Sequence, residues 1–339
     1  MARAIMPALV VSPIPGVSMR VIFLGTPEFA VPTLERIIAA GHAVPLVVTQ
    51  PDRPKGRKQE LIPSPVKAAA LRHAIEVYQP ERIRQPEAIA RLQDLAPDAM
   101  VVVGYGQIIP QNVIDIAPLG IINVHASLLP ELRGAGPIQW SIARGFERTG
   151  VTTMRINAGL DTGDILLQWE TPISEEETAV ELSVRLAEAG ADLLVRTLAE
   201  LCAGAIEGRP QDEAQASYAP MLRKEDGRID WNDTAREIHN LIRGFQPWPG
   251  AHTSFRGQSL HLWRARLVPQ QRWEQPPGAL LQTQNAHPPH NVYAVGGDGG
   301  VLELLEVQLE GRRRMPAEVF ANGQRIGLKS LTQIDRLGA

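Results

Sequence analysis

The sequence predicts an α/β protein: a doubly wound (Rossmann-like) parallel-sheet domain, followed by a smaller C-terminal domain built as an OB-like β-barrel. Three observations carry this expectation. Short apolar strands alternate with amphipathic helices over residues 19–207. Periodicity is lost across the polar stretch 208–224, as in a linker. From residue 225 onward, one helix is followed by short strands separated by glycine-rich turns. Strand–helix alternation implies parallel strands joined by crossovers, and serial short strands imply a barrel. A chain of 339 residues, 44% of them hydrophobic, can bury two separate cores.

The first domain opens on the apolar strand Arg20–Leu24. Thr26 suits a helix N-cap and Pro27 the first helical position, with Leu34, Ile37 and Ile38 at helical spacing and Gly41 at the stop. Val44–Thr49 completes a βαβ unit. Helices are expected over 66–73 and 88–95, and a strand covered on both faces over Ala99–Val103. Gly120–Val124 reads as a strand, Ile138–Arg144 as a helix and Val151–Ile156 as a strand on the far edge. A long helix follows over Thr178–Cys202, with Val180, Leu182, Leu186, Leu193, Leu194 and Leu198 as its apolar stripe.

In the second domain a helix is expected over Asp233–Phe245, with Ile238, Leu241, Ile242 and Phe245 facing inward. Strands are expected at His252–Phe255, Ser259–Leu267, Gly278–Leu281, Val292–Val295 and Val301–Leu309.

Composition excludes several classes of function. A formal net charge of −3 means that a polyanionic partner must be met by local basic patches. No apolar run approaches the roughly 18 residues of a membrane span, so no membrane partner is expected. The one cysteine, Cys202, excludes a disulfide framework and a thiolate zinc site, and is read as a small buried apolar residue of a cytoplasmic protein. The eight histidines are scattered; His287 and His290 read as surface-loop residues, and no metal is expected. Residues 1–18, with Pro7, Pro13 and Pro15, read as a disordered leader before a start at Met19. Arg3 and the lack of acids leave an organellar transit peptide open.

Chemistry concentrates after the Gly120–Val124 strand. Asn123 and His125 are two residues apart, so their side chains share one side at the strand's carboxyl end, where open α/β sheets bind ligands. An amide donor beside an imidazole suits acyl transfer to an amine: one stabilises an oxyanion and the other moves a proton. Asp161 sits in the glycine-flanked segment Gly159–Asp164. It is either a turn residue or a carboxylate that orients the imidazole, and spacing leaves both open.

Asn123, His125, Ser127–Pro130, Arg133–Pro137 and Leu160–Gly163, in that order, resemble the signature of the 10-formyltetrahydrofolate-dependent formyltransferases. The resemblance covers the chain from Arg20 onward. It implies that Asn123, His125 and Asp161 are catalytic, and that Ser127, Leu128, Leu129 and Pro130 contact folate. It also implies that the loop Tyr105–Ile109, with Gln107, Ile108 and Ile109, lines the pterin slot through its backbone. Within the family, the segment 49–67 resembles an insertion loop of the members that act on tRNA, with Arg53, Lys55, Arg57 and Lys58 set against Asp52 and Glu60. Taken alone, the segment would be a solvated Pro-rich loop. Ile229–Trp231, Phe245–Pro249 and Gly311–Pro316 carry the same likeness in the second domain. A second basic cluster could come from Arg264, Arg266 and Arg312–Arg314.

What the resemblance implies is therefore formyl transfer from 10-formyltetrahydrofolate to initiator methionyl-tRNA. The enzyme would be a cytoplasmic monomer that binds tRNA through residues 225–339. The departures are the eighteen residues at the front and Gly136, where alanine is common. Rival readings differ in identifiable places. A nicotinamide-dependent oxidoreductase would need the later glycines that Gly25–Ala30 lacks. A formyltransferase for glycinamide ribonucleotide or an amino sugar would share the three residues and differ in the insertion loop and second domain. A formyltetrahydrofolate hydrolase would use water as acceptor, and a non-catalytic tRNA-binding module would need none of the three.

Overall fold

The structure, a computed structural model, describes residues 18–55, 60–282, 291–326 and 335–338. The chain forms two compact units. One comprises the chain up to Gly134 with Thr149–Thr171 and Ser183–Tyr218; the other comprises Ala135–Arg148, Pro172–Leu182 and the chain from Ala219. The leader 1–18 lies outside the described residues save for Ser18, as do His287 and His290.

The first unit is built on β1 (Val21–Gly25), α1 (Val31–Ala39), β2 (Val47–Val48), the short pair β3 (Pro54–Lys55) and β4 (Glu60–Leu61), and α2 (Pro65–Arg72). There follow β5 (Val77–Tyr78), α3 (Pro86–Asp94), β6 (Ala99–Val103), α4 (Gln111–Ile114) and β7 (Ile121–His125). The next element in the chain, α5 (Pro137–Ala143), belongs to the second unit, and β8 (Arg148–Arg155), β9 (Ile165–Pro172) and the long α6 (Ala179–Cys202) follow it. The seven-stranded sheet has the order β5-β2-β1-β6-β7-β8-β9. Strands β5, β2, β1, β6 and β7 run parallel, and β8 runs antiparallel to β7.

Every residue of β1, β6 and β7 is buried. Successive strand side chains point to opposite faces, so both faces of the central sheet are covered. One covering is α6: a Cβ on Gly190 would stand 2.9 Å from Val124, and Thr197 shares a hydrogen bond of 2.8 Å with Thr153. The chain moves outward from β1 through β2 to β5 and returns on the other side with β6. The carboxyl ends of β1 and β6 thus form a topological switch point, where a doubly wound sheet opens a crevice.

Several expectations change. Thr26 does not cap a helix: a 3₁₀ turn over Glu28–Ala30 leads into α1, and the Thr26 hydroxyl donates instead to the Tyr105 carbonyl at 3.1 Å. The far edge of the sheet is β9, not the Val151–Ile156 strand, which lies inside it as β8. Val180 is exposed, because it lies on the same outer face of α6 as the exposed Val184 one turn on, while Ala179 and Leu182 face inward. Cys202 is also exposed, because it is the last residue of α6 and the chain there runs out into solvent, with Ala203–Ala205 exposed as well.

In the second unit α7 (Ala235–Gly244) starts at a capping box formed by Thr234 and Glu237. It buries Ile238 and Ile242 in the barrel core and, through Phe245, stacks edge-on against Trp140 of α5, with ring centroids 5.1 Å apart. The strands β10 (His252–Phe255), β11 (Gln258–Arg272), β12 (Ala279–Gln282), β13 (Val292–Val295), β14 (Gly300–Leu309), β15 (Met315–Pro316) and β16 (Asp335–Arg336) surround that core, with α8 (Ala317–Gln324) packed in. The antiparallel order is β10-β11-β14-β13-β12-β16. An antiparallel bridge between Phe255 and Leu337, and the Gly338 amide donating to the Ser254 carbonyl at 2.8 Å, join the two ends into a nearly closed barrel. Strand β11 runs beyond the expected Leu267, to Arg272, because register shifts against β14 let it bend around the barrel.

Candidate active site

Strand β7 lies between β6 and β8, which fixes the two residues at its carboxyl end. Asn123 pairs with Val102 and Met154, and His125 with Thr152. Both side chains are buried, at 9% and 6% exposure. No hydrogen bond ties the Asn123 carboxamide among the described residues. The His125 ring is held by the Leu132 carbonyl, 3.0 Å from Nε2. A carbonyl only accepts, so Nε2 carries the proton and Nδ1 is left as the basic nitrogen. Nδ1 faces Asp161 Oδ2 at 3.7 Å.

The turn after β7 is set by the neighbouring strands. Thr152 Oγ1 donates to the Ser127 carbonyl at 2.7 Å and accepts from the Leu129 amide at 3.1 Å. Gln168 on β9 donates to the Leu129 carbonyl at 2.9 Å. Ser127 Oγ donates to the Glu131 carbonyl at 2.6 Å, and Leu129 is buried. Of the segment Ser127–Pro130, Leu128 and Pro130 therefore keep partly open side chains, while Ser127 and Leu129 shape the turn.

Asp161 occupies the left-handed region at φ 52°, a strained position for a residue with a Cβ. Surrounding contacts impose it. Asn157 Oδ1 accepts from the Gly159 amide at 3.0 Å and from Thr162 Oγ1 at 2.9 Å. Gln211 Nε2 donates to the carbonyls of Asp161 and Gly163, at 2.8 and 2.7 Å. Asp161 Oδ2 accepts from the Gly134 amide at 2.8 Å. Gly163 is obligatory here, since a Cβ would lie 1.8 Å from the Arg155 carbonyl oxygen.

Gln211 is in turn gripped by Arg133, which is fully buried. Arg133 Nε and Nη2 donate to Gln211 Oε1 at 3.0 and 2.8 Å, and its Nη1 and Nη2 form a fork on the Glu213 carboxylate at 2.9 and 2.8 Å. The sequence shows Arg133 only as part of a motif, and it assigns Gln211 and Glu213 to a linker. Residues 208–218 are instead strapped to the first unit, by an Ile165–Arg209 bridge and an Arg133–Tyr218 bridge. Nothing local announces this, because each contact spans about fifty to eighty residues.

The loop after β6 is anchored through the Tyr105 carbonyl, which accepts from Thr26 Oγ1 and, at 3.2 Å, from Gln50 Nε2. Burial of Tyr105 pushes its phenol well above the ordinary value, so it stays neutral. Gln107 is spent on the scaffold: Oε1 accepts from the Ile83 amide at 2.8 Å, and Nε2 donates to the Pro80 and Glu81 carbonyls. Ile109 is buried, whereas Ile108 is 90% exposed and offers an apolar side chain beside the loop backbone.

Of the basic insertion, Arg53 is exposed, and Lys55 pairs with Glu60 through the backbone of β3 and β4. Arg57 and Lys58 lie outside the described residues. The root of the loop is fixed. Lys67 pairs with Asp52 and donates to Gln79 Oε1 at 2.8 Å, while Gln79 Nε2 donates to Asp52 Oδ1 at 2.9 Å. The Lys67 ammonium bonded to Asp52 holds that carboxyl below the usual carboxylate range. In the second unit Arg266 is paired with Glu303 and Arg314 with Glu306, so Arg264, Arg312 and Arg313 contribute most of that patch's open charge.

Among the described residues no group of three or more His, Cys, Asp or Glu is placed to hold a metal ion, and no helix is long and apolar enough to cross a membrane.

Residues 19–198 match the formyl transferase family model, and residues 221–325 match that of the formyl transferase C-terminal domain. A methionyl-tRNA formyltransferase of Solibacter usitatus (strain Ellin6076) is 61% identical over 320 residues, covering 94% of this chain and 99% of the relative. The chain belongs to the methionyl-tRNA formyltransferase family. Another member, from Acidobacterium capsulatum, is 50% identical over 95% of this chain and all of its own length. Solved structures share the formyltransferase fold at low identity. An N-formyltransferase of Helicobacter canadensis, in complex with folinic acid and dTDP-3-aminofucose, aligns with a TM-score of 0.62 at 20% identity, over 84% of this chain and 98% of its own. HypX of Aquifex aeolicus in complex with tetrahydrofolic acid aligns with a TM-score of 0.62 at 16% identity, over 94% of this chain and 51% of its own. The Arg133–Gln211 contact and the Asn123–His125 pair both fall in the unit that holds most of the formyl transferase match.

Proposed function

We propose that the chain transfers the formyl group of 10-formyltetrahydrofolate to the amino group of methionine carried by initiator tRNA, for use in translation initiation. The observation that carries this reading is 61% identity along 99% of a methionyl-tRNA formyltransferase, spanning both domains. The crevice at the carboxyl ends of β1, β6 and β7 supports it with suitable chemistry.

In that reaction the methionyl nitrogen attacks the formyl carbon and forms a C–N bond, while the carbonyl oxygen takes up negative charge. The Asn123 carboxamide N–H donates to this oxyanion. His125 Nδ1 takes the proton released by the attacking amine and returns it to the folate N10 as the C–N10 bond breaks. The products are N-formylmethionyl-tRNA and tetrahydrofolate. A carboxylate facing Nδ1 stabilises the ring while it holds the proton, which is the role given to Asp161. The backbone of Tyr105–Ile109, the Ile108 side chain, and the turn Ser127–Pro130 receive the folate. Arg53, Lys55, Arg57 and Lys58, with the barrel unit, receive the tRNA, and phosphate contacts there set its register. The enzyme works as a monomer in the cytoplasm.

The test is a substrate panel. The full chain is incubated with 10-formyltetrahydrofolate and, in parallel, methionyl initiator tRNA, free methionine, glycinamide ribonucleotide, an amino-sugar nucleotide, or buffer alone. Formylation of the charged tRNA far above all the others is expected. Preferential formylation of a small amine, or release of formate without an acceptor, would overturn the reading.

A further inference from the structure

Buried Arg133, partly buried Gln211 and exposed Glu213 form a polar chain that ends on the backbone of Asp161. We propose that Arg133 and Gln211 are positioning residues for formyl transfer, acting through Asp161. The inference rests on the catalytic role given to Asp161 above.

Three observations combine. First, Asp161 sits at a positive φ, a left-handed conformation disfavoured by residues with a Cβ, so contacts that hold its loop bear on where its carboxylate lies. Gln211 holds that loop by donating one amide group to two carbonyls, those of Asp161 and Gly163, at 2.8 and 2.7 Å. Second, the Gln211 amide is itself oriented. Arg133 donates twice to its oxygen, which forces the NH₂ group to face the Asp161 loop and forbids the flipped amide. Third, the segment that carries Arg133 touches both partners of the proposed pair: the Leu132 carbonyl meets His125 Nε2 at 3.0 Å, and the Gly134 amide donates to Asp161 Oδ2 at 2.8 Å. One three-residue stretch thus orients the imidazole and the carboxylate together. Its central side chain locks the loop on which the carboxylate rides.

The Arg133 guanidinium is fully buried and has all of these bonds satisfied by a fork on Glu213 and a pair on Gln211. A planar five-donor group supplies both at once, which a lysine cannot. The Glu213 carboxylate hydrogen-bonded to Arg133 raises the guanidinium's already high proton affinity, so the clamp is charged at every working pH.

The test is Gln211→Glu. This change preserves an acceptor for the buried Arg133 guanidinium. It places an oxygen against two carbonyl oxygens where a donor stood. The expected result is a kcat lower by roughly 10- to 100-fold, the scale of a misplaced catalytic group, with KM for 10-formyltetrahydrofolate and for charged tRNA within about twofold. Added to Asp161→Asn, Gln211→Glu should cost almost nothing more, since the residue it positions is already disabled. Arg133→Lys is the second variant, with the same expectation: reduced kcat, and no further loss on Asp161→Asn. It carries the test if Gln211→Glu does not fold. A folded Gln211→Glu or Arg133→Lys protein with wild-type kcat would overturn the proposal, as would full multiplication of its loss on Asp161→Asn. If Asp161→Asn alone keeps wild-type turnover, the failure belongs to the role given to Asp161.

Discussion

His125 and Asp161 meet through one carboxylate oxygen: Asp161 Oδ2 lies 3.7 Å from His125 Nδ1 and simultaneously accepts the Gly134 amide. At that distance the contact is an ion-pair geometry for a protonated ring, longer than a hydrogen bond. On the proposed mechanism, in which His125 carries the transferred proton, the carboxylate therefore matters most while the imidazole holds it.

If the two residues act as a unit, their losses are non-additive. His125→Ala combined with Asp161→Asn should be little slower than His125→Ala alone, in steady-state formylation at saturating substrates. A double variant whose defect equals the product of the two single defects would separate them and leave Asp161 a turn residue.

Binding of tRNA to a chain of net charge −3 must rely on concentrated cations. Arg57→Ala should lower the slope of log affinity against log salt by roughly one unit, and neutralising Arg53, Lys55, Arg57 and Lys58 together by roughly three to four. Folate affinity, measured by fluorescence quenching or calorimetry, should be unchanged in both. An unchanged salt slope in the fourfold variant would remove the loop from the tRNA site.

Much of this organisation is legible in the sequence because it is local. The strand expected over Gly120–Val124 is found one residue on, as Ile121–His125, and the spacing of two does put Asn123 and His125 on one side. Helix α6 is delimited to within a residue, since its apolar period runs for many turns. What was illegible depends on partners far along the chain. Thr26 carries a good capping residue's chemistry, yet its hydroxyl is claimed by Tyr105, 79 positions away. Strand β9 is half-exposed and mixes apolar and polar residues, so its period is weak. Gln211 sits in a polar stretch with no periodicity, and only the fold brings it under Asp161 and against Arg133.

The second unit carries an acid-sensitive group of its own. His239 on α7 is buried, and desolvation, followed by the Arg243 charge, lowers it from the ordinary 6.5 to about 4. Between these values the unfolded chain binds a proton that the folded protein does not. The stability is present in full above about 6.5 and is lost progressively as pH falls toward about 4. From pH 7 to pH 5 this one group should cost about 2 kcal/mol. In urea unfolding, His239→Gln should show a correspondingly shallower loss of stability over the same interval. Identical pH dependence in the two proteins would place the acid sensitivity elsewhere.

The central claim is that Asn123 and His125 perform formyl transfer to a tRNA held by other residues. Its most direct test is the single-turnover rate of N-formylmethionyl-tRNA formation, measured beside the Kd for charged tRNA. The rate should fall about 10²–10³-fold in Asn123→Ala and about 10²–10⁴-fold in His125→Ala, with Kd for tRNA essentially that of the wild type. Near-normal turnover in His125→Ala, or a loss in either variant that tracks weakened tRNA binding alone, would contradict it.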